Sequence, residues 1–233
     1  MPEAAEQALC KLCGHDAPDP TGIHAIGCAA EKTRRHDALV QTLKNDLLTA
    51  GARPCLEASI DAAANITRAS AAARDAARRA LAAARPRAVD PSLARPSDII
   101  VPAWPQRAGA ACVPTGFDVV VASPYALVAM SNSRTGEPGA ALAAAEERKV
   151  REARDSLRLI GVAFTPLAVT TNGRFSADTH AMLKELADRL ERVRASGREL
   201  EYVIQRASVV IQGGNGALLA AFGRSLVAAR ALG

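Results

Sequence analysis

Residues 117–124, FDVVVASP, constrain the fold most, because three consecutive valines favour a strand that is buried inside a sheet. Aspartate is depleted in strands, and yet Asp118 stands at the entrance of this one. Residues 97–104, SDIIVPAW, have the same design, with Asp98 directly ahead of the apolar run. If the two strands pair, both carboxylates can project from one end of the sheet.

The rest of the chain alternates between helical and strand patterns. Helices are predicted over residues 34–48 and 140–159 and through most of 176–233, and further strands over 53–60 and 161–173. Residues 62–90 are rich in Ala and Arg, which predicts an inserted surface helix. This order predicts an α/β fold in which helices flank a mixed central sheet and a helical C-terminal tail follows at 176–233.

The bulk composition is that of a globular protein. A chain of 233 residues holds one full domain with an appendage, and 49% hydrophobic and 23% charged residues are ordinary fractions. The sequence starts without the basic and apolar segments of a signal peptide, and no apolar run reaches about 18 residues, the length of a membrane span. We therefore expect an intracellular protein with no membrane partner. The net charge of +5 permits a nucleic-acid partner without requiring one.

Three of the five cysteines cluster near the start of the chain, within residues 1–31. The pattern is Cys10-x2-Cys13-x10-His24-x3-Cys28, which suits a closed tetrahedral zinc site. His15 is an alternative ligand to His24, and loose thiols in an unfolded segment are the alternative to a metal site. Cys55 and Cys112 lie in or beside strand segments, which predicts small buried residues.

The two strand aspartates also predict a metal site. Like charges at one sheet end repel each other unless a cation holds them, and carboxylate oxygens suit Mg²⁺ or Mn²⁺. Lys149 is the only lysine between Lys44 and Lys184, and on the helix predicted over 140–159 its ammonium can reach the end of the sheet. There it would orient a water molecule and stabilise developing charge. The alternatives are a surface pair of Lys149 with Glu146, and aspartates that only cap strands or face solvent.

Several segments follow one another in a characteristic order. They are the Cys/His cluster, RRHDAL, RPSDIIVPAW, FDVVVASP, AEERKVREA, GVAFTPLAVTTNG and the closing RASVVIQGGNGALLAAF. This succession resembles the C-terminal region of non-LTR retrotransposon reverse-transcriptase proteins. In that region a CCHC zinc knuckle precedes a restriction-like endonuclease of the PD-(D/E)XK superfamily. The resemblance implies a restriction-endonuclease-like core over residues 32–175, between the knuckle at 1–31 and the tail.

The resemblance also assigns roles to three side chains. Asp98 matches the acidic residue of the R-P-x-D element, and Asp118 matches the second acidic position of the family. Lys149 matches the catalytic lysine, which in this branch lies on the following helix, while Val120 stands where the superfamily's usual E-x-K pattern has its lysine. The implied activity is metal-dependent nicking of DNA, with Mg²⁺ or Mn²⁺ at the two aspartates and Zn²⁺ in the knuckle.

The expected partner of such a protein is DNA, with RNA as an alternative. Phosphate contacts are predicted for Arg34, Arg35 and His36, just after the knuckle, and for Arg95. The resemblance further implies a reverse transcriptase encoded upstream or elsewhere, and a nuclear location if the source is eukaryotic. The alternative function is a zinc-containing nucleic-acid-binding module without catalysis, or a domesticated remnant of a retroelement.

Overall fold

The computed structural model describes residues 32–85, 95–105, 111–124 and 139–231. Six helices lie within these residues: α1 Lys32–Thr49, α2 Ile60–Thr67, α3 Ala71–Ala84, α4 Ala140–Leu159, α5 Ala177–Arg194 and α6 Glu199–Ala231. The strands are β1 Cys55–Leu56, β2 Ile99–Pro105, β3 Cys112–Ala122 and β4 Ala163–Thr170. The zinc ligands predicted at Cys10, Cys13, His24 and Cys28 lie outside the described residues. No helix in the described part of the chain has the length and apolar character needed to cross a membrane.

The four strands form one mixed sheet in the order β1-β2-β3-β4. The first three strands pair antiparallel, whereas β3 and β4 run parallel. A parallel pair requires a crossover connection, and α4 provides it by packing against both strands. The prediction of an α/β fold with a mixed sheet is thus confirmed.

Helices cover both faces of the sheet. On one face, Phe117 and Val119 of β3 contact a core that α1, α5 and α6 complete with residues such as Leu43, Leu186 and Ile211. On the other face, apolar residues of the sheet pack against α2, α3 and α4. The helices after residue 176 therefore supply part of the main core and are not an appended tail.

The Ala/Arg-rich segment differs from its prediction, because it forms two helices and buries one side of them. Arg68 ends α2 with a left-handed backbone, and the hydroxyl of Ser70 caps α3 by accepting a hydrogen bond from the amide of Ala73. Ala77 and Leu81 are fully buried against the neighbouring helices. Small side chains let helices approach closely, so an alanine-rich helix is as suited to the interior as to the surface.

The two remaining cysteines are less buried than predicted. Cys55 is half-buried and Cys112 is exposed, and both are free thiols. Cys112 pairs with Pro105 at the outer end of the β2–β3 ladder and is the first residue of β3. Its position at a strand end therefore accounts for its exposure.

A candidate site at the end of strands β2 and β3

The pairing of β2 with β3 brings Asp98 and Asp118 together where β2 begins. Asp118 was predicted at the entrance of its strand, but β3 begins at Cys112 and continues past Asp118 to Ala122, where it pairs with β4. Ile99 pairs with Phe117, and the amide of Asp98 donates to the carbonyl of Phe117 at 3.0 Å. The next step along this ladder places Asp98 beside Asp118. The Oδ2 atom of Asp98 also accepts a hydrogen bond of 2.7 Å from the amide of Val119, which fixes the carboxylate at the strand end.

Lys149 joins the two aspartates from α4. Its Nζ atom lies 3.0 Å from Oδ1 of Asp118, and its side chain is only 18% exposed. Ala145 and Ala153, one turn before and after it, are buried beneath the same helix. Lys149 therefore pairs with Asp118 and not with Glu146. The structure thus brings together the three side chains that the sequence singled out.

Arg85 is a fourth member of this group, although no sequence motif pointed to it. It caps the C-terminus of α3, where its Nη1 atom donates to the carbonyl of Arg95 at 2.8 Å. Its Nη2 atom lies 3.9 Å from Oδ2 of Asp118 and 3.8 Å from Oε2 of Glu152. The available signal was its place four residues after Leu81, which aligns it with the buried side of an amphipathic helix.

The two aspartates differ in their affinity for a proton. Burial raises the pKa of Asp118 to about 7, helped by the negative charge of Asp98 and opposed by the positive charge of Lys149. Burial also acts to raise the pKa of Asp98, but the hydrogen bonds of His36 and Asp118, the charge of His36 and the amide of Val119 outweigh it and lower that pKa. Of the two carboxylates, Asp98 therefore favours the ionised form, and Asp118 keeps a proton more readily than an ordinary aspartate.

His36 holds Asp98 from the first turn of α1. Its Nε2 atom lies 2.9 Å from Oδ2 of Asp98, and its Nδ1 atom lies 3.0 Å from Oδ1 of Asp37. Burial alone would lower the pKa of His36, but the hydrogen bonds and charges of Asp98 and then of Asp37 raise it to about 9. The ring is therefore protonated at neutral pH and donates from both nitrogens. His36, which was predicted to contact phosphate, thus contacts the carboxylate of Asp98.

The metal-free protein is expected to lose stability as the pH rises from about 6.5 to about 9, because of His36. Its pKa is raised in the folded state, so its contribution is complete below the unfolded value of 6.5 and disappears as pH passes the folded value. The loss should be on the order of 1–3 kcal/mol for a side chain that is 28% exposed. Urea unfolding in EDTA across this pH range measures it. The His36→Gln variant is the reference, and equal pH slopes in both proteins would contradict the assignment.

The other predicted phosphate contacts occupy different surroundings. Arg34 is exposed on the first turn of α1. Arg95 is 55% exposed and forms an ion pair with Glu57. Arg35, in contrast, is 2% exposed and lies inside the protein, where its Nη1 atom donates to Oδ1 of Asn215 on α6 at 2.6 Å. This burial corrects the prediction for Arg35, because a guanidinium enclosed between two helices cannot contact DNA at the surface.

The carboxylate oxygens of the site suit a hard divalent cation whose remaining ligands would come from water or a bound phosphate. The Oδ2 atom of Asp118 is buried and has no hydrogen-bond partner among the described residues. Mg²⁺ commonly takes one or two protein carboxylates and completes its shell with water and phosphate oxygens. Within the same residues, no group of three or more His, Cys, Asp or Glu side chains forms a complete metal cage. Asp98 and Asp118 would therefore hold such an ion only as part of a shared shell.

Comparisons with protein-family models, curated proteins and solved structures found no match for this chain. The function must therefore be argued from the geometry and charge of the site.

Proposed function

We propose that this chain is a metal-dependent DNA endonuclease that nicks one strand of a duplex. The observation that carries the proposal is the convergence of Asp98, Asp118 and Lys149 from three separate elements beside the start of β2. The order of the elements also supports it. An antiparallel β1–β3 unit followed by α4 and the parallel strand β4 is compatible with the restriction-endonuclease-like core that the sequence resemblance implies.

Each side chain has a defined task in this proposal. Asp98 and Asp118 hold Mg²⁺ or Mn²⁺, which when bound polarises the phosphodiester and lowers the pKa of a coordinated water. Lys149 places a positive charge beside Asp118, where it orients the attacking water and stabilises the charge that develops on phosphate. His36 and the amide of Val119 keep the carboxylate of Asp98 in one orientation. Val120 stands at the superfamily's usual lysine position. Because it is an apolar, buried residue, the cation has to come from α4.

The structural zinc ion, an RNA substrate and a reverse-transcriptase partner remain predictions from the sequence. A knuckle built from the Cys/His cluster in residues 1–31 would add contacts to nucleic acid. The net charge of +5 favours association with a polyanion, and Arg34 offers an exposed cation on α1.

A plasmid assay tests the proposal. The full chain incubated with supercoiled DNA and Mg²⁺ is expected to produce nicked circles, and EDTA should suppress them. The Lys149→Met variant should nick on the order of a hundredfold more slowly, because it loses the charge beside the reacting phosphate. Lys184→Met is the matched control, since Lys184 is exposed on α5, which covers the opposite face of the sheet. Nicking that continues in EDTA, or that is equal in the two variants, would refute the proposed site.

A second candidate function is a nucleic-acid-binding module without catalysis. One observation favours it: each aspartate already has a cationic partner, His36 for Asp98 and Lys149 for Asp118. The site is therefore close to neutral without a metal. This alternative predicts DNA binding that weakens with salt and no nicking at any Mg²⁺ concentration. The same plasmid assay, combined with a binding measurement, separates the two functions.

A further inference from the structure

Arg85 is fixed at one end of its guanidinium group and unsatisfied at the other. Its backbone amide donates to the carbonyl of Leu81 at 3.0 Å, which anchors the residue at the end of α3. Its Nη1 atom donates to the carbonyl of Arg95 at 2.8 Å, which fixes the direction of the side chain. The side chain is only 24% exposed. An arginine held in this way is preorganised, because its side chain is kept in one orientation.

Among the described residues, the remaining two nitrogens of Arg85 have no hydrogen bond. The Nε atom is buried without a partner, and the two carboxylates near Nη2 lie at 3.8 and 3.9 Å, beyond hydrogen-bonding distance. Nε and Nη2 form one edge of the guanidinium group, and such an edge binds two oxygens of a phosphate or carboxylate at once. Leaving the buried Nε donor unpaired costs free energy, which a ligand at this edge would recover.

An acceptor atom close to this edge is unpaired as well. Within the described residues, the buried Oδ2 atom of Asp118 has no hydrogen-bond partner, and it lies 3.9 Å from Nη2 of Arg85. The three carboxylates near this edge, those of Asp98, Asp118 and Glu152, are offset by His36, Lys149 and Arg85 itself, so a phosphate can approach Arg85 without a metal. A divalent cation held by Asp118 would add to this attraction, because its charge would favour the same phosphate oxygens that accept from Arg85.

We propose that Arg85 binds the scissile phosphodiester group of the DNA, an assignment that rests on the function proposed above. Glu152 of α4 lies 3.8 Å from Nη2 of Arg85. It therefore attracts the guanidinium group without forming a hydrogen bond that would occupy the Nε–Nη2 edge. The Ala/Arg-rich pair of helices thereby contributes a substrate-binding residue to a site whose other members come from α1, β2, β3 and α4. Arg85 would be the group that grips phosphate, whereas Lys149 assists the water.

DNA binding measured without cleavage tests this role. A short fluorescein-labelled DNA duplex is titrated with the full chain in EDTA at several salt concentrations, with anisotropy as the readout. Arg85→Ala is expected to weaken binding about tenfold and to reduce the slope of log affinity against log salt by about 1. Arg79→Ala is the matched control, because Arg79 is exposed on the same helix α3 and the change in net charge is identical. It should change affinity by less than about twofold.

A second variant distinguishes a lost phosphate contact from misfolding. Arg85→Lys keeps the charge and should retain most of the binding, yet it should nick plasmid at least about tenfold more slowly in Mg²⁺, because an ammonium cannot replace the two-nitrogen edge. Wild-type nicking by Arg85→Lys, or equal binding losses in Arg85→Ala and Arg79→Ala, would overturn the role of Arg85 without affecting the nuclease proposal. A wild-type chain that binds DNA but never nicks it overturns the nuclease, while the binding comparison still decides on Arg85. A wild-type chain that binds no DNA overturns both.

Discussion

The Asp118→Asn variant is expected to nick plasmid at least about a thousandfold more slowly than the wild-type protein. Asp118 provides the buried oxygen that lacks a hydrogen-bond partner, and it is the partner of Lys149 and the nearest carboxylate to Arg85 on β3. Replacing the carboxylate by an amide keeps the shape of the side chain but removes the charge that holds the cation. One substitution therefore affects every other member of the site.

The same variant is expected to be as stable as the wild-type protein near pH 8, or more stable. Burial raises the pKa of Asp118 to about 7, so above that pH the folded state carries a charge that it accommodates poorly. A group whose folded pKa is raised contributes stability below its unfolded pKa of 3.8, and this contribution is lost as pH rises through the folded value. Asparagine is neutral throughout, so the variant should not show this loss. A loss of activity combined with retained stability is typical of a functional carboxylate.

Matched measurements make the test specific. Asp155→Asn is the control for the amide substitution, because Asp155 is exposed on α4. Nicking rates in Mg²⁺ and urea unfolding at pH 5 and pH 8 are measured for all three proteins. Asp118→Asn that nicks as fast as Asp155→Asn would remove Asp118 from the site. If the difference in stability between the wild-type protein and Asp118→Asn were the same at pH 8 as at pH 5, this would contradict the raised pKa of Asp118.

The parts of the fold that sequence could predict are those in which local pattern and burial agree. The helix predicted over 140–159 forms as α4, because its apolar residues recur at helical spacing and Gly139 precedes it. Val119 and Val120 of β3 are buried, as their side chains favour. Asp98 and Asp118 could be placed together because each stands next to an apolar run, and pairing of the two runs was enough to align them, although β3 begins six residues before Asp118.

The rest of the site depends on contacts between distant residues that leave no local pattern. His36 reaches Asp98 across 62 positions of the chain, and only the packing of α1 against the sheet brings them together. Arg35 was predicted to contact phosphate near the start of a helix, but α6 covers that turn, and Asn215 of α6 binds Arg35 across 180 positions. Alanine-rich composition predicted the helical character of α3 correctly but not which side is buried, because alanine suits both environments. Arg85 was missed for that reason.

The Gly214→Ala variant is expected to lower the free energy of unfolding by about 2–4 kcal/mol, the reverse of the usual effect of this substitution in a helix. A methyl group on Gly214 would lie 2.1 Å from Cγ and 2.8 Å from Cδ of Arg35. Arg35 has little room to move, because it is 2% exposed and bonded to Asn215, whose own amide donates to the carbonyl of Thr171 at 2.7 Å. The glycine thus lets α6 pass directly over the buried arginine.

Neighbouring glycines of the same helix provide the control. A methyl group on Gly213 or on Gly216 would meet no atom within 4 Å, so alanine at either position should raise the free energy of unfolding by up to about 1 kcal/mol through helix propensity. Urea unfolding followed by circular dichroism measures all three variants. A Gly214→Ala protein as stable as the Gly213→Ala protein would show that Arg35 does not pack beneath α6. If Gly214→Ala alone is destabilised, Gly214 is explained as the point where α6 contacts a buried guanidinium.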